Sequence, residues 1–115
     1  PECGPPLPAN LRELRDLTRR LDAVIEMQQQ EDNRLHSATA ATKNQIEAHI
    51  AYLELQIKEI KSKIKEYINN DPDLKQKKDL LDSIPGIGEK TISVILSEFS
   101  DIARFKSAKH LASFL

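Results

Sequence analysis

The stretch that decides the fold is IEAHIAYLELQIKEIKSKIKEY, residues 46–67. Its large apolar side chains recur at alternating steps of four and three residues, at Ile46, Ile50, Leu53, Ile57, Ile60, Ile64 and Tyr67. This spacing is typical of a coiled-coil seam, in which apolar residues lie along one face of a helix. Such a face needs an apolar partner, because soluble monomers seldom expose a continuous apolar patch. The stretch therefore predicts a long helix packed against another helix, and an all-α fold.

A second amphipathic segment precedes this helix. Its apolar residues recur at similar helical steps, at Leu11, Leu14, Leu17, Leu21, Val24, Ile25 and Leu35. They predict a helix of roughly 25 residues, with Asn10 as its N-cap. Residues 36–42 contain no large apolar side chain, so we expect a turn near residues 37–40. Residues 11–70 are therefore predicted to form an antiparallel helical hairpin.

The seam also predicts assembly. Burial of a large aliphatic side chain is worth roughly 1.5–3 kcal/mol, so seven seam positions favour pairing strongly. A hairpin of two helices still leaves part of each apolar face uncovered. We therefore assign oligomerisation to the seven seam residues, in a homo-oligomer that is either a dimer or a tetramer.

Three short helices are expected after the hairpin. Pro72 ends the long helix, and Asp71 or Asp73 can cap a helix over about residues 73–83. That helix should turn Leu74, Leu80, Leu81 and Ile84 to one side and leave Lys75, Lys77 and Lys78 outside. The next should bury Ile92, Val94, Ile95, Leu96 and Phe99, and a last helix is expected from Ser107 to Leu115. No segment has the alternating pattern of a β-strand.

The link between the first two short helices is IPGIGEKT, residues 84–91, which is typical of the turn in a helix-hairpin-helix. Gly86 and Gly88 can take a positive φ and expose their N–H groups, and the helix that begins at Glu89 adds the positive end of its dipole. Lys90 can contribute charge and Thr91 a hydroxyl group. We therefore predict that Gly86, Gly88, Lys90 and Thr91 contact nucleic-acid backbone, without reading sequence and with an affinity that falls as salt rises. The alternative is a turn that only joins two packed helices.

The charge is distributed unevenly, although the net charge is only −1. Residues 1–57 carry six Lys/Arg and nine Asp/Glu, whereas residues 58–115 carry eleven and nine. The basic bias lies beside the glycine turn, at Lys58, Lys61, Lys63, Lys65, Lys75, Lys77 and Lys78. Two interpretations stay open: a solvated helix surface, or a patch that contacts the backbone of a nucleic acid.

Metal sites and catalysis are not expected in this chain. Cys3 is the only cysteine, and His36, His49 and His110 lie in separate segments without a ligand-spaced carboxylate cluster. The helical carboxylates have the spacing of a solvated face, among them Glu13, Asp16, Asp22, Glu26, Glu47 and Glu54. No serine has the setting of an activated nucleophile. We therefore assign no catalytic residue, no metal ligand and no cofactor.

The rest of the composition indicates the cellular location that we expect for the protein. The chain has no apolar run long enough to span a membrane and no signal-peptide pattern, so a cytoplasmic protein without a membrane partner is expected. Residues 1–10 contain four prolines and one glycine, which favours a linker arriving from an upstream domain. With an apolar helical pattern at its far end, the chain is interpreted as a fragment.

These residues carry a family resemblance. The run LLDSIPGIGEKTISVILSEFSDIARFKSAKHLASFL, residues 80–115, resembles the start of the C-terminal domain of DEDD transposases from bacterial insertion sequences. Residues 11–35 and 46–64 resemble the coiled-coil region that precedes that domain in the same family. Residues 71–115 would then be the helix-hairpin-helix start of the C-terminal transposase domain.

The resemblance implies a parent enzyme that is a DNA recombinase, with an RNase H-like domain bearing the DEDD acids and a C-terminal nucleophilic serine. A divalent metal would belong to the acidic catalytic domain, and the catalytic acids and serine would lie outside this chain. The implied partners are element-end or target DNA and, in the bridge-RNA-guided type, a guide RNA. The implied location is the bacterial cytoplasm, at the nucleoid.

Two alternatives remain from the sequence. One is a purely structural oligomerisation module in which the glycine turn only organises packing. The other is a DNA-binding module of a repair protein, because repair nucleases, ligases and polymerases also use the helix-hairpin-helix.

Overall fold

A computed structural model describes residues 9–98, and this part of the chain forms four helices and no strand. They are α1 (Ala9–Ser37), α2 (Ala40–Asn69), α3 (Pro72–Asp82) and α4 (Glu89–Glu98). The predicted all-α fold, a long hairpin followed by two short helices, is confirmed. Phe99 and the last helix, expected from Ser107, lie outside the described residues.

The hairpin of α1 and α2 forms most of the apolar core. The chain reverses at Ala38 and Thr39, within the turn predicted near residues 37–40. The buried apolar residues of the hairpin are Leu11, Leu14, Leu21 and Val24 of α1 and Leu53, Ile60, Ile64 and Ile68 of α2. The pairing predicted within the chain is therefore confirmed.

Three residues of the predicted seam, Leu53, Ile60 and Ile64, are fully buried within one chain. The other four, Ile46, Ile50, Ile57 and Tyr67, are half-buried. Ile68 is buried although it lies outside the predicted seam. The reason is that a straight helix of 3.6 residues per turn drifts away from a strict seven-residue repeat, so that Ile68 follows Ile64 on the inner face.

The start of α1 corrects one prediction. Ala9 and Asn10 are helical, so Asn10 is not the N-cap expected from its position before the first leucine. Its side-chain amide instead donates a hydrogen bond to Oδ2 of Asp71, at 2.7 Å. Asn10 therefore ties the start of the hairpin to the start of α3.

Asp71 is the N-cap of α3, which confirms the first of the two predicted alternatives, Asp71 or Asp73. Its Oδ1 accepts hydrogen bonds from the N–H groups of Asp73 at 3.0 Å and Leu74 at 3.3 Å. Pro72 follows in the first turn, where its missing N–H removes no helical hydrogen bond. The break between α2 and α3 thus lies at Asp71 and Pro72, where the sequence predicted it.

The inner face of α3 differs from the prediction. Leu74 and Leu81 are buried as expected, but Leu80 is 41% exposed and Lys77 is only 4% exposed. Lys77 lies three residues after Leu74 and four before Leu81, so helical geometry places it between them on the buried face. Its ammonium group pairs with Asp73 at 2.9 Å, while its aliphatic stem is covered.

Helix α4 packs against α1 and α3 and closes the same apolar core. Ile92 and Leu96 are buried as predicted, whereas Val94 is 38% exposed. Ser93 and Ser97 are buried instead, and their hydroxyl groups donate to the carbonyls of Glu89 at 3.2 Å and Val94 at 3.1 Å. Because these hydroxyls are satisfied within the helix, two small side chains can face the rest of the bundle without an unpaired polar group.

Candidate nucleic-acid interface

The glycine turn between α3 and α4 has the backbone geometry that its first glycine requires. Ser83 ends α3, and the N–H of Ile84 donates to the carbonyl of Leu81 at 3.0 Å. Gly86 then takes a φ of 85°, a region that residues with a Cβ rarely adopt. Of the two glycines of this turn, which can both take a positive φ, only Gly86 does so.

Gly88 has a different position, directly before the first residue of α4. Its carbonyl accepts the N–H of Ile92 at 3.1 Å, the first hydrogen bond of that helix. A residue at this N-cap position usually offers a side-chain oxygen to the next N–H groups, which lack helical partners. Gly88 offers none. A Cβ added to Gly88 would meet no atom within 4 Å, so packing among the described residues does not require a glycine.

Lys90 and Thr91 lie in the first turn of α4, and both side chains are exposed. The ammonium group of Lys90 forms an ion pair with the carboxylate of Asp22 in α1. The four predicted contact residues therefore share one surface loop and helix start. The pair differs from the solvated position expected for Asp22, and the sequence carries no signal for it because no helical spacing links α1 to α4.

The seven lysines of the predicted basic bias lie in different environments. Lys77 is buried and Lys78 pairs with Asp82 at 2.9 Å. Lys63 shares a surface groove with acidic side chains of the hairpin, including Glu13, Asp16 and Glu66. The seven lysines thus do not form one continuous patch, and only part of the set lies near the glycine turn.

A polar cluster near the tip of the hairpin was not predicted. Glu31 is buried on α1, and its carboxylate accepts hydrogen bonds from His49 Nδ1 and from Arg34, both at 2.7 Å. The hydrogen bond with His49 is the larger cause, and the one with Arg34 the second, that lowers the pKa of Glu31 below its ordinary value of 4.5. The sequence held one signal for this cluster: Glu31 lies seven residues after Val24, which places its carboxylate on the inner face of α1.

A second polar contact joins the open end of the hairpin. The Tyr67 hydroxyl group donates to the carboxylate of Glu13, and this hydrogen bond raises the pKa of Tyr67 above its ordinary value of 10.0. Both side chains are on the surface groove between α1 and α2. The contact joins α1 to α2 at the open end of the hairpin.

Neither a metal site nor a membrane span is found in residues 9–98. These residues contain no group of three or more His, Cys, Asp or Glu side chains placed to hold a metal ion. Among the same residues, no helix combines the length and the apolar character that crossing a membrane requires.

Comparisons with known proteins find one matching family model and two similar relatives. Residues 78–115, which include the glycine turn and α4, match the family model described as the transposase IS116/IS110/IS902 family. The chain is also 34% identical over 84 residues to the pilin gene-inverting proteins of Moraxella bovis and Moraxella lacunata. Each alignment covers 73% of this chain, and the chain spans about a quarter, 26%, of each relative. Together these similarities support a chain related to transposases and recombinases.

Proposed function

We propose that this chain contacts the phosphate backbone of a nucleic acid through the turn at residues 84–91, as a part of a transposase or recombinase. The observation that carries the proposal is Gly88, which leaves the start of α4 without a side-chain cap although its surroundings have room for one. A phosphate oxygen suits this helix end, because the N–H groups point toward it and the helix dipole favours negative charge. Thr91 and Lys90 supply a hydroxyl group and a positive charge in the same turn.

The comparisons support DNA or its complexes as the partner. The names of the matched family and of the two relatives denote transposition and gene inversion, which are processes that act on DNA. Contact with phosphate rather than with base edges makes the proposed binding independent of sequence. The role of the turn is therefore to position a backbone, and we assign no catalytic step to residues 9–98.

The wider assignment rests on the family resemblance. We propose that the whole protein is a DEDD transposase, in which an RNase H-like domain holds a divalent metal and a C-terminal serine is the nucleophile. Its proposed substrates are element ends and target DNA, with a guide RNA as a further partner in the bridge-RNA-guided type. It would act in the bacterial cytoplasm, at the nucleoid.

A second role, assembly of protomers, is favoured by one observation on α2. Tyr52 is 57% exposed and Leu55 is 65% exposed, and their three-residue spacing places them on one outer face of the helix. The half-buried Ile57 lies beside Leu55 in a shallow surface groove. We propose that this outer face, together with the half-buried seam residues, pairs with a second copy in a homo-oligomer.

The phosphate contact is tested by replacing Gly88 with serine. A serine at this position can cap α4, so the fold should keep its stability while the new hydroxyl group takes the N–H groups that a phosphate would use. Affinity for a labelled DNA duplex, measured by fluorescence anisotropy, should fall several-fold for Gly88→Ser. Gly88→Ala is the control for added bulk, since it brings no hydrogen-bond acceptor, and it should reduce affinity less.

Two results would contradict the proposal. One is equal affinity of Gly88→Ser and the unaltered chain at about 50 mM salt. The other is no binding of duplex DNA or RNA by the unaltered chain at that salt, which would favour the turn as a purely structural link between α3 and α4. Circular dichroism of each variant verifies that α4 and the rest of the bundle are intact.

A further inference from the structure

Four lysines from three different helices line one groove beside the start of α4. Lys61 and Lys65 come from α2, Lys78 from α3 and Lys90 from α4. The groove rests on the buried residues Leu21, Ile64, Ile68 and Ile92, so its floor is part of the apolar core. The packing of the bundle therefore fixes the backbone positions from which the four lysine side chains extend.

The two lysines of α2 have no neutralising partner on their own helix. Residues three and four positions away from Lys61 are Ile57, Lys58, Ile64 and Lys65, and those around Lys65 are Lys61, Ser62, Ile68 and Asn69. Like charges four residues apart destabilise a helix by a few tenths of a kcal/mol. In residues 9–98, neither Lys61 nor Lys65 forms an ion pair with a carboxylate. Their charges are uncompensated at a position fixed by the core.

The other two lysines of the groove already pair with carboxylates of the same chain. Lys78 pairs with Asp82 at 2.9 Å, and Lys90 pairs with Asp22. Both pairs involve exposed or half-exposed carboxylates, which water and salt screen strongly. One further acid, Glu89, lines the groove in the first turn of α4. With Asp82 and Asp22 paired to two of the four lysines, the three carboxylates leave one positive charge in excess at the groove.

We infer that Lys61, Lys65, Lys78 and Lys90 bind phosphodiester backbone in continuity with the glycine turn, so that the long helix α2 forms a second wall of the nucleic-acid site. This inference rests on the proposed function of the turn and extends it to α2 and α3. Each lysine contacts one phosphate through charge, and binding releases the counterions condensed on the nucleic acid. Among the described residues that line the groove, the apolar side chains are buried and none is an exposed aromatic or aliphatic residue, which favours a polyanion strand over a lipid surface.

The test compares two double variants of the full 115-residue chain. The groove variant is K61Q/K65Q, and the matched control is K43Q/K63Q, which removes the same charge from the same helix outside the groove. Anisotropy titrations with a labelled DNA duplex and with a labelled RNA duplex are made at several salt concentrations between about 50 and 200 mM. The K61Q/K65Q variant should weaken binding at least tenfold at the lowest salt. It should also reduce the slope of log K against log salt by roughly 1.8, since each lost phosphate contact contributes about 0.9.

The outcomes separate the groove from the turn. If K61Q/K65Q and K43Q/K63Q bind equally well while Gly88→Ser binds poorly, the inference is wrong and the proposed function stands. If the groove variant loses binding while Gly88→Ser keeps it, α2 forms the site and the glycine turn does not. The absence of any binding by the unaltered chain overturns both. A loss confined to one duplex identifies DNA or RNA as the ligand.

One further experiment tests whether the groove binds a nucleic acid or an anionic membrane surface. Anionic phosphatidylserine vesicles are added in a flotation assay to the unaltered chain and to K61Q/K65Q. We expect no flotation of either. Flotation that depends on Lys61 and Lys65, with no binding to duplexes, would overturn the inference in favour of a membrane surface.

Discussion

The ammonium group of Lys90 at the start of α4 forms an ion pair with the carboxylate of Asp22 in α1, and both side chains are about half exposed. The pair joins the hairpin to the helix that follows the glycine turn. It also places the Asp22 carboxylate against the Lys90 ammonium group, which is the positive charge proposed to contact a phosphate. Asp22 and an incoming phosphate therefore compete for Lys90.

The first prediction follows from this competition. Asp22→Asn should raise the affinity for a nucleic-acid duplex several-fold, because Lys90 loses its internal partner and one repulsive charge leaves the site. The change in unfolding free energy should be at most about 1 kcal/mol, since exposed ion pairs contribute little. Anisotropy titration and urea unfolding measure the two effects.

A matched control separates the pair from the general change in charge. Asp16→Asn removes the same charge from the same helix, at an exposed position on a different groove. If the two asparagine variants bind equally tightly, the Lys90–Asp22 pair has no part in binding.

The second prediction separates the two glycines by their backbone conformations. Gly86→Ala should lower the unfolding free energy by about 1 kcal/mol or more, because its φ of 85° is unfavourable for a residue with a Cβ. Gly88→Ala should cost less, since its φ is not positive and the added Cβ has no atom within 4 Å. Urea unfolding followed by circular dichroism measures both, and an equal loss in the two variants would contradict the structure of the turn.

The third prediction concerns pH. The pKa of Glu31 is lowered in the folded chain by His49 and Arg34, so the ionised carboxylate stabilises the fold above the unfolded value of about 4.5. This stabilisation is lost as the pH falls from 4.5 through the lower folded pKa. Glu31→Gln should therefore be less stable than the unaltered chain near neutral pH, and the difference should shrink in acid.

Urea unfolding at a series of pH values measures this dependence. Glu26→Gln provides the control, because Glu26 is an exposed glutamate on the same helix. A difference between Glu31→Gln and the unaltered chain that stays constant from neutral to acidic pH would show that the carboxylate is not held in its ionised form by the fold.

The sequence predicted the elements of the fold well because its periodic signals are strong. Residues 46–67 marked α2, and the Asn-Asn-Asp-Pro run marked the boundary between α2 and α3. The prediction of buried residues was wrong where one helix packs against two others. Lys77 replaces Leu80 on the inner face of α3, because the direction of that face is set by contact with α2 and α4 and not by hydrophobicity alone.

The candidate site was predicted in part. The residues of the glycine turn adjoin in sequence, so their grouping followed from the motif. The pairing of Asp22 with Lys90 did not, nor did the convergence of Lys61 with Lys90, because these residues meet only through the packing of α4 on the hairpin. Spacing along one helix carries no information about such contacts.

The fourth prediction concerns the junction between α2 and α3. Asp71→Ala should lower the unfolding free energy by about 1 kcal/mol, because α3 loses its N-cap and Asn10 loses its hydrogen-bond partner. Asp79→Ala, at an exposed position of the same helix, should have a smaller effect. Thermal unfolding measures the difference, and equal midpoints would exclude Asp71 as an energetically important cap.

The last prediction concerns assembly through the outer face of α2. Nine residues, or about two and a half turns, separate Tyr52 from Lys61, so the exposed apolar pair and the lysine groove lie on different sides of the helix. Tyr52→Lys with Leu55→Lys should therefore convert an oligomer to a monomer, as measured by size exclusion with light scattering, and should leave the helical content unchanged. Glu26→Gln with Asp32→Asn changes the net charge by the same amount on α1 and should leave the oligomer intact. If the unaltered chain is a monomer at high micromolar concentration, the outer face does not mediate assembly, and Tyr52 and Leu55 are isolated surface residues.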